Sequence, residues 1–360
     1  MFKFLTRSLQ KKTFSVFTAL LFCLIASASY SARISFGNFK NYNIPINLSK
    51  DEKLSEIKSQ YVASNFVKGI NEFKNKEFKR AIQSFTQCIK LKPNHHTSYM
   101  NRGLAKLQLG NFDSALEDFN KAISLNPKFS QAYKNRALLK FKHFKDLDGA
   151  IDDFDALLRL KPNYSIGYFD RATVKILNRD FRGAIDDLNK VIDLNPKFDK
   201  IVYVYWNQSQ AYKKLGNLSQ AKKYIDLAVE SNSKLAGELI YQLSNNQIKN
   251  NKFDEAETNL SILIERNLNE KLAPKAYFQR GSIRYYEQNY NESVLDLSKA
   301  IELKPNYEEA LVLRGLVFLR TNNYKSALKD FDKALSLKPN NKEINRYRTF
   351  ALDKISRQEN

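Results

Sequence analysis

Nucleophilic or metal-assisted chemistry needs several reactive side chains in one place, and the 360 residues hold only three histidines, His95, His96 and His143, with two cysteines, Cys23 and Cys88. His95 and His96 follow Pro93 and read as solvated turn residues, not ligands. His143 lies beside a one-residue insertion and reads the same way. The carboxylate pairs Asp152–Asp153 and Asp186–Asp187 fall at the same point of a recurring pattern, which marks a solvated helix face and not an acid–base dyad. No glycine-rich phosphate loop is present. The reading is a chain without a catalytic site, not an enzyme, with no metal and no cofactor.

The pattern carrying those carboxylates is an internal repeat. FKRAIQSFTQCIKLKPN, FDSALEDFNKAISLNPK, LDGAIDDFDALLRLKPN and FRGAIDDLNKVIDLNPK follow one another, and NYNESVLDLSKAIELKPN and NYKSALKDFDKALSLKPN resume it. Small residues at Ala81, Ala115, Ala150, Ala184, Ala221, Ala256, Ser293 and Ala327 are spaced by 34, 35, 34, 37, 35, 37 and 34, giving eight units. A second small residue precedes each by twelve or thirteen positions, from Gly69 and Gly103 to Gly281 and Gly315. Apolar residues recur around them at helical spacing, so each unit reads as two antiparallel helices in close approach. Pro93, Pro127, Pro162, Pro196, Pro305 and Pro339 end the second helix, because proline cannot continue the ladder.

These features resemble the tetratricopeptide repeat (TPR), whose 34-residue unit has small residues at its eighth and twentieth positions. Aromatic residues at the fourth position (Tyr99, Tyr133, Tyr168, Tyr205, Tyr277) and the closing prolines carry the likeness over residues 62–339. The resemblance implies an all-α, right-handed superhelical solenoid of eight helix-turn-helix units. Units five and six lack the proline and carry extra residues near Asp199 and Asn267, where a bend or change of pitch is expected. The expected organisation is a solenoid over 49–339 and a capping helix over 340–360, whose Ile344, Tyr347, Phe350, Ala351 and Ile355 would lie on the last repeat.

In this family the first helices line a concave groove, and the resemblance carries that role to particular residues. The fifth position brings Phe66, Met100, Lys134, Phe169, Trp206, Tyr241 and Phe278, and the thirteenth brings Lys142, Lys214 and Lys249. An aromatic trough with a basic border suits a protein or peptide partner, acidic at the rim. Some relatives clamp a chaperone's terminal carboxylate with Lys and Asn. Asn101 matches one member of that clamp, but Phe66, Ile70, Gln131 and Asn135 do not fit it, so that role is not implied.

At the start, Lys3, Arg7, Lys11 and Lys12 precede the apolar run Phe14 to Ala26 and then Ala26-Ser27-Ala28. Residues 1–28 read as an export signal or an uncleaved anchor, with 29–48 as a flexible tether. Either reading places the rest across a membrane, in a periplasm or equivalent lumen, where Cys88 alone could form no internal disulfide. The formal charge of +21 favours acidic partners or anionic surfaces. The expected function is a non-catalytic scaffold in assembly of a membrane-associated complex, with no small-molecule substrate. The alternative is RNA or polyanion binding through the basic surface.

Overall fold

The computed structural model describes residues 50–359, and the readings made for 1–28 and 29–48 lie outside them. The described residues are helical, without a strand, and fall into two compact units, 50–221 and 222–359. In the first, α1 (Lys50–Lys74) pairs with α2 (Phe78–Leu91), α3 (His96–Gln108) with α4 (Phe112–Leu125), α5 (Ser130–Leu139) with α6 (Leu147–Leu160), and α7 (Ser165–Leu177) with α8 (Phe181–Leu194). Then come α9 (Ile201–Lys214) and α10 (Leu218–Ser231), which runs past the division at 221. In 222–359 the pairs are α11 (Ser233–Lys249) with α12 (Phe253–Glu265), α13 (Ala273–Tyr286) with α14 (Tyr290–Leu303), and α15 (Glu308–Arg320) with α16 (Tyr324–Leu337). The last helix, α17 (Lys342–Glu359), packs on α16.

One large apolar residue explains why the small ones recur. Four positions after the small residue that opens seven of the eight second helices stand Phe85, Phe119, Phe154, Leu188, Leu260, Leu297 and Phe331, all wholly buried, while Ile225 in the remaining one is half-buried. Each fills the seam of its own helix pair. At Gly103 a Cβ would meet Phe119 Cε1 at 2.8 Å and the Ala115 carbonyl at 3.2 Å, so the ring occupies the space a side chain would take. Fully burying one such side chain is worth about 1.5–3 kcal/mol, and the period repeats it along the chain.

The second helices end where the sequence places proline. Lys92, Asn126, Lys161 and Asn195 close α2, α4, α6 and α8 at φ of −139°, −142°, −138° and −151°, away from the helical region as a following proline requires. Asp146 and Asp180 start α6 and α8 by accepting from the Gly149 and Gly183 amides at 2.9 Å.

The irregular units differ in how they absorb extra residues. The third pair holds its one extra residue in a π-helical segment, Lys140–Phe144, at the end of α5. The turn before α9 spans 195–200, two residues more than the turns 126–129 and 161–164, and buries Phe198 against Phe169 with ring centroids 5.5 Å apart. Near Asn267 the added residues fold inward, with Leu268 and Asn269 buried and the Leu268 Cβ closing over Gly237.

On α17, Ile344 and Ala351 are buried and Tyr347 sets its ring on Phe331 at 5.8 Å. The expectation for Phe350 is corrected: it is 47% exposed, under the Lys354 ammonium, because its position on the helix turns it away from α16. Among the described residues no helix is long and apolar enough to cross a membrane.

Candidate protein-binding face

The first helices do not present the fifth-position side chains uniformly. In residues 50–221, Phe66, Met100 and Trp206 are half-buried, leaving part of each side chain for contact. Phe66 leans on Phe85 at 5.8 Å and meets the His95 ring edge-on at 5.4 Å. Met100 packs beside Ala115, Phe119 and Leu139, and its Sδ accepts from Asn135 Nδ2 at 3.4 Å.

Phe169 and Lys134 depart from the expectation. Phe169 is wholly buried, held by Phe198 and covered by the Lys200 ammonium 5.7 Å from its ring, so it offers no ligand surface. The reason is the longer turn before α9, which folds Phe198 and Lys200 over it. Lys134 is 6% exposed and donates from Nζ to Tyr164 Oη at 2.9 Å. Of the border lysines in this unit, Lys142 is half-buried and Lys214 is exposed. Burial lowers the Lys142 ammonium from its ordinary value, against the attraction of Asp170.

In residues 222–359, Tyr241 and Phe278 are half-buried and Lys249 is exposed. Phe278 lies against Tyr307 with centroids 5.1 Å apart. Burial pushes the Tyr241 hydroxyl up to about 12, against the effect of its hydrogen bond with Asn245. Asn245 also accepts from Gln279 Nε2 at 2.5 Å, while Gln279 Oε1 is buried without a partner.

The histidines are not solvated turn residues throughout. His95 and His96 are half-buried at the junction of α2 and α3, where His95 Nδ1 lies 2.6 Å from Ser98 Oγ and His96 meets Phe129 edge-on at 4.8 Å. Burial lowers both imidazoles, with Lys92 adding to it. His143 is exposed and stacks on Phe112 at 3.7 Å. Among the described residues no cluster of His, Cys, Asp or Glu could hold a metal ion. Cys88 is buried, its Sγ 3.3 Å from the Val62 carbonyl, and burial raises its thiol.

The carboxylates corrected most by the structure are Asp153 and Asp187. Asp152 and Asp186 are exposed, but Asp153 and Asp187 are buried. Asp153 takes two hydrogen bonds from Arg136, with Lys140 3.0 Å away, and Asp187 pairs likewise with Arg171 and Lys175. The same rung joins Arg102 to Asp118, Arg280 to Asp296 and Arg314 to Asp330. Each arginine extends Nη1 to the preceding unit, reaching Thr86, Asn120, Asp155, Ser261 or Ser298. The signal was legible as an arginine before the first small residue and an aspartate three after the second. The fourth-position tyrosines belong to these rungs: Tyr99, Tyr133, Tyr168 and Tyr277 lie under the guanidinium groups at 5.4–5.8 Å.

Antiparallel helix pairs, five of which carry such a rung to the pair before, define a helical-repeat protein. Sequence models described as "Tetratricopeptide repeat" match residues 63–95, 96–129, 202–235 and 308–341, and one described as "TPR repeat" matches 281–322. The chain belongs to the tetratricopeptide repeat family. A comparison with curated proteins gives no match. Among solved structures, the chain is similar to the MamA protein at 22% identity, over 48% of this chain and 92% of that one, with a TM-score of 0.44. It is similar to a tetratricopeptide repeat protein from Parabacteroides merdae at 18% identity, over 81% and 99%, with a TM-score of 0.43. It is also similar to yeast Tom70 at 19% identity, over 89% and 68%, with a TM-score of 0.42.

Proposed function

We infer that this protein is a non-catalytic scaffold that holds a protein or peptide against the face of its first helices. The observation that supports this most is the recurrence of half-buried large side chains at one position of five first helices, Phe66, Met100 and Trp206 in one unit and Tyr241 and Phe278 in the other. Side chains of this kind supply most of the energy of an interface when a partner completes their burial. The exposed Lys214 and Lys249 favour an acidic partner. Assembly of a membrane-associated complex is the setting suggested by the basic and apolar start of the chain, with the repeats on the far side of the membrane.

Trp206 is the chain's only tryptophan, so its emission reports this face without interference. A partner captured from the membrane fraction should shift that emission. Combining Phe66→Ala, Met100→Ala and Trp206→Ala should weaken capture by at least about 30-fold, a loss of about 2 kcal/mol expected of anchors at an interface centre. Full retention by the triple variant would overturn the assignment of this face. Affinity that vanishes in moderate salt and extends to any RNA or polyanion would favour the basic surface instead.

A further inference from the structure

Each of the two irregularities between residues 130 and 200 carries a lysine whose charge bears on one buried carboxylate. The π-helical segment Lys140–Phe144 carries Lys142, and the lengthened turn 195–200 ends in Lys200. Lys134, from α5, is the third, held by Tyr164 Oη. All three ammonium groups act on Asp170 of α7. Asp170 is wholly buried, and neither carboxylate oxygen has a hydrogen-bond partner. The equivalent positions of α3, α5 and α9 hold the neutral Asn101, Asn135 and Asn207. The π-helical segment that closes α5 carries Lys142, and a buried carboxylate without a donor is costly.

Three cationic donors around one unsatisfied acceptor describe a ligand that is anionic and still has a proton to give. A phosphoryl group meets both demands, since its ionised oxygens accept from lysine while a P–OH donates to a carboxylate. A carboxylate or sulfate ligand carries no proton at neutral pH and would set a bare anion against Asp170. We propose that Lys134, Lys142, Lys200 and Asp170 form a binding site for a phosphoryl group that retains one proton, either inorganic phosphate or a phosphate monoester. Lys142 and Lys200 are half-buried, so rotation of their side chains opens the way to Asp170. The site does not depend on peptide capture by Phe66, Met100 and Trp206, so either reading can fail without the other.

The test is calorimetric titration of the full chain with inorganic phosphate, phenyl phosphate, sulfate and acetate at one ionic strength. Burial pushes the Asp170 carboxyl up to about 6, against the pull of the three lysines, so at about pH 8 it is ionised and can only accept. Inorganic phosphate should then bind at least about tenfold more tightly than sulfate or acetate, the margin of one charge-assisted hydrogen bond. Lys142→Ala and Lys200→Ala should each weaken phosphate by about tenfold. Asp170→Asn should abolish the preference over sulfate with unchanged helical circular dichroism. Phenyl phosphate that binds more tightly than sulfate at about pH 6, where it begins to hold its proton, assigns the monoester; its exclusion assigns the free ion. Equal binding of phosphate and sulfate by the unaltered chain, tighter binding of acetate, or no binding of phosphate overturns the proposal, and none of these readings depends on a variant folding.

Discussion

The three pairs from α3 to α8 and the pair α11–α12 solve the same packing problem with different chemistry. In the former, Arg102, Arg136 and Arg171 each hold a buried aspartate with two hydrogen bonds and reach back to the preceding unit with a third nitrogen. In the latter, Leu243 stands at the arginine position and Asn259 at the aspartate position. Asn259 Nδ2 donates to Gln247 Oε1 at 2.8 Å, and Gln247 Nε2 donates to Glu255. At α9 the arginine is again absent: Gln208 donates to Asn189 at 2.7 Å, and its Oε1 is buried without a partner. A guanidinium has five donors in a fixed fork, enough to tie two helices of its own unit to a neighbour, whereas an amide has two. One arginine of an ionic rung therefore fastens its own helix pair and joins it to the pair before, whereas Asn259 and Gln247 fasten only their own pair and Gln208 reaches only the preceding one. The stretch from α9 to α12, which lacks rungs, also contains the division at 221.

That contrast can be broken most forcefully at a rung. Asp153→Ala leaves Arg136 and Lys140 without their buried counter-charge, and removing one partner of such a pair costs about 3–5 kcal/mol. Urea unfolding followed by circular dichroism should show that loss, while Asn259→Ala costs only about 1 kcal/mol, one ordinary hydrogen bond. Equal losses would mean that the rungs add nothing special.

A second measurement sharpens the comparison by building the missing rung. Asn259→Asp alone should destabilise residues 222–359 by about 2–3 kcal/mol, because it buries a carboxylate beside the acceptor Gln247 Oε1. Adding Leu243→Arg should recover at least about half of it, a coupling that a double-mutant cycle resolves. Additive effects would show that this pair lacks the geometry for a rung.

A third effect is expected in pH dependence. Unlike the rung aspartates, Asp170 is buried without a hydrogen bond, and its native carboxyl sits near 6, raised above its ordinary value by burial. The native state therefore holds a proton that the unfolded chain has lost, so this group's stabilising contribution falls as pH rises from about 4 to about 6. Asp170→Asn should remove that slope. In phosphate-free buffer, the variant's melting temperature relative to the unaltered chain should rise across this window and level off above it. A constant difference would place the Asp170 carboxyl at its ordinary value.

Much of the fold was legible because it is periodic. A small residue every 34 or so positions, a large one four later and a proline at the end specify two close helices and a stop, whichever neighbours they meet. The face was legible only in part. Phe66, Met100, Trp206, Tyr241 and Phe278 retain exposed surface, but Phe169 is sealed by residues that a longer turn folds over it. The aspartates were misread because a charged side chain in a second helix looks solvated until its arginine, sixteen or seventeen residues earlier in the neighbouring helix, is placed beside it.

The sequence by itself determined the helices, their pairing and their period, since these depend on side-chain size and on interactions within about twenty residues. Only the tertiary structure decided which charges are buried in pairs, and that the charges of Lys142 and Lys200, each carried by a local irregularity, bear on the carboxylate of Asp170. The reason is physical: helix formation is governed by neighbours along the chain, whereas the cost of burying a charge depends on what other elements place around it.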